Sequence, residues 1–106
     1  MKKLFTLLAL TISFSMNAQV STSNTSPTGT YASAIGNGTT ASGDVSTAMG
    51  FQSTATANFS TAMGRSTTAS GEYSTAMGYG TEASGGISTA MGDNTTASGE
   101  YSTAIG

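Results

Sequence analysis

Five side chains of this sequence carry a carboxylate: Asp44, Glu72, Glu82, Asp93 and Glu100. Asp44, Glu72 and Glu100 share one position of a recurring block, with Asn58 and Gly86 filling the same position in between. Hard oxygen ligands at a fixed interval are what calcium binding needs. The nine-residue calcium repeat of toxin-type β-rolls is absent, however, and the acidic positions read as solvated turns. The second reactive group is the hydroxyl. Thr39, Ser53, Thr67, Thr81 and Thr95 form one series, and Thr40, Thr54, Thr68, Glu82 and Thr96 form its neighbour. A flat hydroxyl array on a β-solenoid suits ice or a crystalline glycan. Glu82 interrupts one series, and adjacent residues of a strand point to opposite faces. The sequence has no histidine and no cysteine, which removes thiol catalysis, disulfides and the common zinc sites. No glycine-rich phosphate loop lies between a strand and a helix. The expectation is a protein that is not an enzyme, with no catalytic, cofactor-binding or metal residues and no cofactor.

The composition narrows the choice further. Of the 106 residues only 8% are charged and 8% aromatic, and the formal net charge is −2. Ordinary globular domains carry about 25% charged residues. Three basic residues, two of them Lys2 and Lys3, are too few to neutralise a phosphate backbone, so no nucleic-acid partner is expected. So little bulk cannot fill one central core. The chain is either disordered or built by repetition.

Repetition is plain from Tyr31 onward. The blocks YASAIGNGTTASGD (31–44), VSTAMGFQSTATAN (45–58), FSTAMGRSTTASGE (59–72), YSTAMGYGTEASGG (73–86) and ISTAMGDNTTASGE (87–100) follow without gaps, and YSTAIG (101–106) begins a sixth. A solvated disordered tract gains nothing from so fixed a phase, and internal repeats of this kind set the architecture. Each block has two halves, one of the form x-S-T-A-M-G and one of the form T-T-A-S-G. Their Gly, Ser and Thr content is poor for a helix interior and suits short strands ended by turns.

The pleat then assigns the side chains. In the first half Val45, Thr47 and Met49 share one face, and Ser46 and Ala48 the other. Two five-residue strands and two turns make one coil of a flat solenoid, stacked at about 4.8 Å. A narrow coil admits small side chains, so Ala48, Ala62, Ala76 and Ala90, with Ala41, Ala55, Ala69, Ala83 and Ala97, are expected inside. Tyr31, Val45, Phe59, Tyr73, Ile87 and Tyr101, with Ile35, Met49, Met63, Met77, Met91 and Ile105, then form an outer apolar stripe. A stripe of that extent has to be covered, and a second copy of the chain would cover it. The rival arrangement, with Val, Thr and Met turned inward, stays open at this point.

The segment before the repeats divides in two. Residues 1–18 begin with Lys2 and Lys3, continue with an apolar run from Leu4 to Phe14 and end at Ala18. This is the layout of a secretory signal peptide, and the run is short for a membrane span, which takes about 20 residues. Residues 19–30 hold the one proline, Pro27, and are expected to be a flexible lead-in. Residues 31–106 are the repeat domain.

The stretches Ala69-Ser70-Gly71-Glu72-Tyr73-Ser74-Thr75-Ala76-Met77-Gly78 and Ala97 to Gly106 resemble the head repeats of trimeric autotransporter adhesins, the YadA-like head family. The resemblance covers about residues 31–106. It implies an all-β, left-handed parallel β-roll with 14-residue coils, assembled as a homotrimer through the outer stripe. It further implies a secreted or surface-displayed adhesin head or spacer on the outer membrane of a Gram-negative bacterium. Such a head binds host or matrix proteins or glycans through a rigid repetitive surface. Similar repeats occur in phage fibres, so a fibre-like structural segment is the alternative beside the ice- or glycan-binding solenoid. No heptad stalk and no membrane barrel occur in the sequence, which stops six residues into a block. It is expected to be a piece of a longer chain, with membrane attachment only through a C-terminal anchor beyond it.

Overall fold

A computed structural model describes residues 22–106. The expected signal peptide lies outside the described residues. Twelve strands follow one another: β1 (Ser26–Pro27), β2 (Ser33–Asn37), β3 (Thr40–Ala41), β4 (Thr47–Phe51), β5 (Thr54–Ala55), β6 (Thr61–Arg65), β7 (Thr68–Ala69), β8 (Thr75–Tyr79), β9 (Glu82–Ala83), β10 (Thr89–Asp93), β11 (Thr96–Ala97) and β12 (Thr103–Ile105). The even strands form one six-stranded sheet and the odd strands another. Every pairing is parallel and in register one repeat apart, as in Ala48↔Ala62 and Met49↔Met63 or Ala55↔Ala69. The chain is a parallel β-solenoid of 14-residue coils, with a long-strand wall and a short-strand wall.

The coil turns because the backbone enters the left-handed region at every seventh residue. From Asn24 to Tyr101, twelve such positions have φ between 53° and 65°. They form two corner columns. One holds Asn24, Gly38, Gln52, Ser66, Gly80 and Asn94; the other holds Tyr31, Val45, Phe59, Tyr73, Ile87 and Tyr101. Two of these seven-residue halves make one coil. This corrects the expectation of two five-residue strands per coil. Val45 is a corner residue, not the first residue of a strand, and the long strand runs on through Gly50 to Phe51. The second half retains a two-residue strand, because its chain turns away directly after the alanine. There the Ala55 carbonyl accepts from both the Ser42 and Gly43 N–H groups.

The interior is as thin as the sequence allows. Ala41, Ala48, Ala55, Ala62, Ala69, Ala76, Ala83 and Ala90 are wholly buried, and Ala97 nearly so. Between them lie buried Ser46, Ser60, Ser74 and Ser88 on one side and Thr39, Ser53, Thr67 and Thr81 on the other. Val45, Thr47 and Met49 face outward, and the inverted arrangement does not occur. Ser46 and Ser60 donate their hydroxyls to the carbonyls of Gly43 and Ala57, each at 2.6 Å. The hydroxyls of Thr39, Thr67 and Thr81 have no protein partner. At those three places threonine serves by its volume and β preference.

Glycine has a role the sequence alone does not separate from turn formation. Gly50, Gly64 and Gly78 lie inside strands at φ of 113° to 124°, and a Cβ on any of them would overlap the carbonyl oxygen of the glycine one coil on. Coil spacing and backbone conformation both require glycine there. Ala57 occupies a second-half glycine position, and its Cβ has a visible effect. Gly71 and Gly85 donate their N–H to Ala83 O and Ala97 O at 3.1 and 3.2 Å, whereas Gly43 reaches Ala55 O only at 3.4 Å and Ala57 makes no such bond.

Part of the expected lead-in also belongs to the solenoid. Ser26–Pro27 pairs with Thr40–Ala41, and Ser23 bridges Asn37. Asn24 takes the corner conformation. The half-coil frame therefore extends seven residues before Tyr31, in the sequence NTSPTGT. Pro27 fits because its chain neighbours Ser26 and Thr28 supply the N–H donors, to Thr39 O and Ala41 O.

Candidate functional site: the outer apolar wall

The long-strand wall presents three outward columns, because alternate residues of each strand face out. The first is threonine after an initial Ser33, the second is methionine capped by Ile35 and Ile105, and the third is Asn37, Phe51, Arg65, Tyr79 and Asp93. The bulky corner column borders the threonines. Its exposures are high for apolar groups: Val45 47%, Phe59 48%, Ile87 52% and Tyr73 54%. Met49, Met63, Met77 and Met91 are half-buried by their own neighbours. Within the corner column Phe59 and Tyr73 stack, ring centroids 4.9 Å apart and planes 3° from parallel. The coil repeat enforces this, since the strand spacing sets ring against ring.

The third column was not singled out in the sequence, although residues 51, 65 and 79 share one repeat position. The Arg65 guanidinium lies between two rings, 5.7 Å from the Phe51 centroid and 5.5 Å from that of Tyr79. Both faces of the cation are thereby covered, and the stack shields part of each ring.

The short-strand wall differs. Thr40, Thr54 and Thr68 are half-buried on it, and Glu82 and Thr96 are exposed. Of the companion hydroxyl series, Thr39, Ser53, Thr67 and Thr81 are wholly inside and Thr95 is half-buried. The paired array needed for an ice or crystalline-glycan face is therefore not formed. The two series alternate across the pleat, and only one of them is outward.

In the column of Asp44 and Asn58, side-chain oxygens bond along the stack. Asp44 Oδ1 accepts from the Thr30 N–H at 2.9 Å, and Asn58 Oδ1 accepts from the Asp44 N–H at 3.0 Å. Each side chain thus ties its coil to the one before. Asp93 accepts from Asn94 Nδ2 at 2.6 Å. Among the described residues no three acidic side chains come together as a metal-holding group.

Of the residues expected at an interface, all twelve lie outside the roll, and they fall into two separate columns rather than one stripe. The threonine column stands between the columns. The signal for the division was present in the sequence as the variable first letter, but strand periodicity assigned that letter to the strand.

A family model for the YadA head domain repeat, in two copies, matches residues 28–53, 46–67, 55–81, 69–86 and 83–106. Neither the curated proteins nor the solved structures yield a match.

Proposed function

The chain belongs to the YadA head domain repeat family, and from that premise we propose that it is an extracellular adhesin head or rigid spacer. It leaves the cell by its N-terminal signal peptide and is displayed at the surface of a Gram-negative outer membrane. It assembles as a homotrimer. Host or matrix proteins or glycans are its partners, and it holds them by repetition: each coil offers the same weak contact, and contacts on one rigid body add through avidity.

The observation that carries this reading is the outer wall. Six consecutive coils repeat an apolar corner and an apolar methionine or isoleucine position, and the corner side chains remain 47% to 87% exposed in the single chain. Soluble single chains rarely leave so long an apolar surface wet. Covering it with copies of the chain leaves the hydroxyl wall and the acidic edge outward for ligand contact.

The experiment is attachment. Beads coated with the purified chain should adhere to immobilised extracellular-matrix proteins or glycans, and the short-strand wall should matter: Thr54→Lys with Thr68→Lys should reduce adhesion without changing the solution mass. Beads that bind no matrix component, from a chain of the expected trimeric mass, would leave the spacer role and remove the adhesive one.

A further inference from the structure

The two corner columns have the same backbone and opposite chemistry. One follows the preference of the left-handed region at four of its six positions, Gly38, Gly80, Asn24 and Asn94, and holds the polar Gln52 and Ser66 at the other two. The other defies it at every coil, with tyrosine, valine, phenylalanine and isoleucine. Val45 and Ile87 are β-branched, the class for which φ near 55° is a true outlier. The Phe59–Tyr73 stack returns a part of this cost within the chain, but the column stays 47% to 87% exposed. A local rule broken at each repeat, with so little compensation inside the fold, marks a functional position.

Symmetry says what the compensation is. A ring of three identical chains has a heterologous contact, in which one patch of each chain meets a different patch of the next. The outer wall carries two wholly apolar columns, the corner column and the methionine column, separated by threonine. The third column cannot serve as well, since Arg65 and Asp93 interrupt it. An axis parallel to the stack keeps like coils at like heights. Any partner that meets these rows must itself repeat at strand spacing, as a second copy does.

We propose that the bulky corner column of one chain docks, row for row, on the methionine column of the next, so that Tyr73 meets Met77 and Phe59 meets Met63 of the adjoining copy. This rests on the trimeric reading above and deepens it. It also accounts for the variable letter. Methionine is unbranched and adapts to whatever shape faces it, and its sulfur favours aromatic rings. One column can therefore vary among Val, Phe, Tyr and Ile while the other stays methionine in those rows.

The test is disulfide trapping in the purified chain, which has no native cysteine. Tyr73 and Met77 of one chain are too far apart along the wall to bridge, since extended residues advance about 3.3 Å each and a disulfide needs Cα atoms within about 7 Å. The double variant Tyr73→Cys with Met77→Cys should therefore oxidise to a covalent ring of three on a non-reducing gel. Met77→Cys alone and Tyr73→Cys with Tyr79→Cys should not cross-link. A cross-link from Met77→Cys alone would put the methionines on the axis and overturn the pairing. So would a ring from the 73/79 pair, or a chain of trimeric mass that traps nothing at 73/77. A monomeric mass for the unaltered chain would remove the trimer itself, which separates failure of the premise from failure of the pairing. Val45→Asn with Ile87→Asn supplies a second readout. It should raise the urea midpoint of the unassembled chain and abolish assembly, whereas unchanged assembly would overturn the proposal.

Discussion

Replacing Gly64 by alanine isolates the contribution of the close coil-to-coil approach. Gly64 sits in β6 at φ 124°, and an added Cβ would overlap the carbonyl oxygen of Gly78 in β8. Two costs follow. The backbone conformation is one that an L side chain rarely adopts, at about 1–3 kcal/mol. The coils must also separate locally, which weakens about two ladder hydrogen bonds at about 1 kcal/mol each. Together they give about 3–5 kcal/mol, a large share of the about 5–15 kcal/mol that holds a typical domain. With a urea slope of about 1.5 kcal/mol/M, the midpoint should fall by about 2–3 M. The assay is equilibrium unfolding followed by far-ultraviolet circular dichroism. Gly80→Ala is the control. Its φ of 61° lies in the ordinary left-handed region, and its Cβ would meet the side-chain Oδ1 of Asn94, which can swing away, so about 1–2 kcal/mol is expected. Equal small losses for the two variants would refute the claim that coil spacing requires glycine at Gly64.

Other substitutions test other parts of the roll. Ala57→Gly should raise stability by about 1 kcal/mol, as the missing bond to Ala69 O forms and the 3.4 Å bond from Gly43 tightens; a lower urea midpoint would contradict this. Thr67→Val should also stabilise, by about 1 kcal/mol, because its buried hydroxyl has no protein partner while its shape is kept; a loss in the same assay would show that the hydroxyl is satisfied after all. Ala76→Val should cost about 1–3 kcal/mol by overfilling the coil interior, and a neutral result would mean the interior has spare room. Arg65→Ala should cost about 1 kcal/mol by removing a cation from between two rings, with Arg65→Lys recovering part of it.

Much of the fold could be read from the alternation of Ser46, Thr47, Ala48 and Met49. Small and bulky residues on opposite faces, repeated in register, already separate inside from outside. Composition did the rest, because an interior filled by alanine, serine and threonine leaves no room for Met49. The corners were harder. Val45 and Ile87 look like strand residues by propensity, and the tertiary requirement to reverse the chain every seven residues overrides that preference. Pro27 hid the first half coil, since proline and a Ser/Thr-rich context read as linker, yet the strand there needs donors only from Ser26 and Thr28. The Phe51–Arg65–Tyr79 stack was missed because those residues differ in type and declare themselves only through the repeat distance.

The central claim is that copies of the chain cover its outer apolar wall. Sedimentation equilibrium of the purified chain over a range of concentrations tests it most directly. Three times the chain mass, persisting on dilution and lost in Tyr73→Glu, is the expected result. A compact monomer at every concentration would contradict it, because the exposed parts of the apolar corner and methionine columns would then stand uncovered in water.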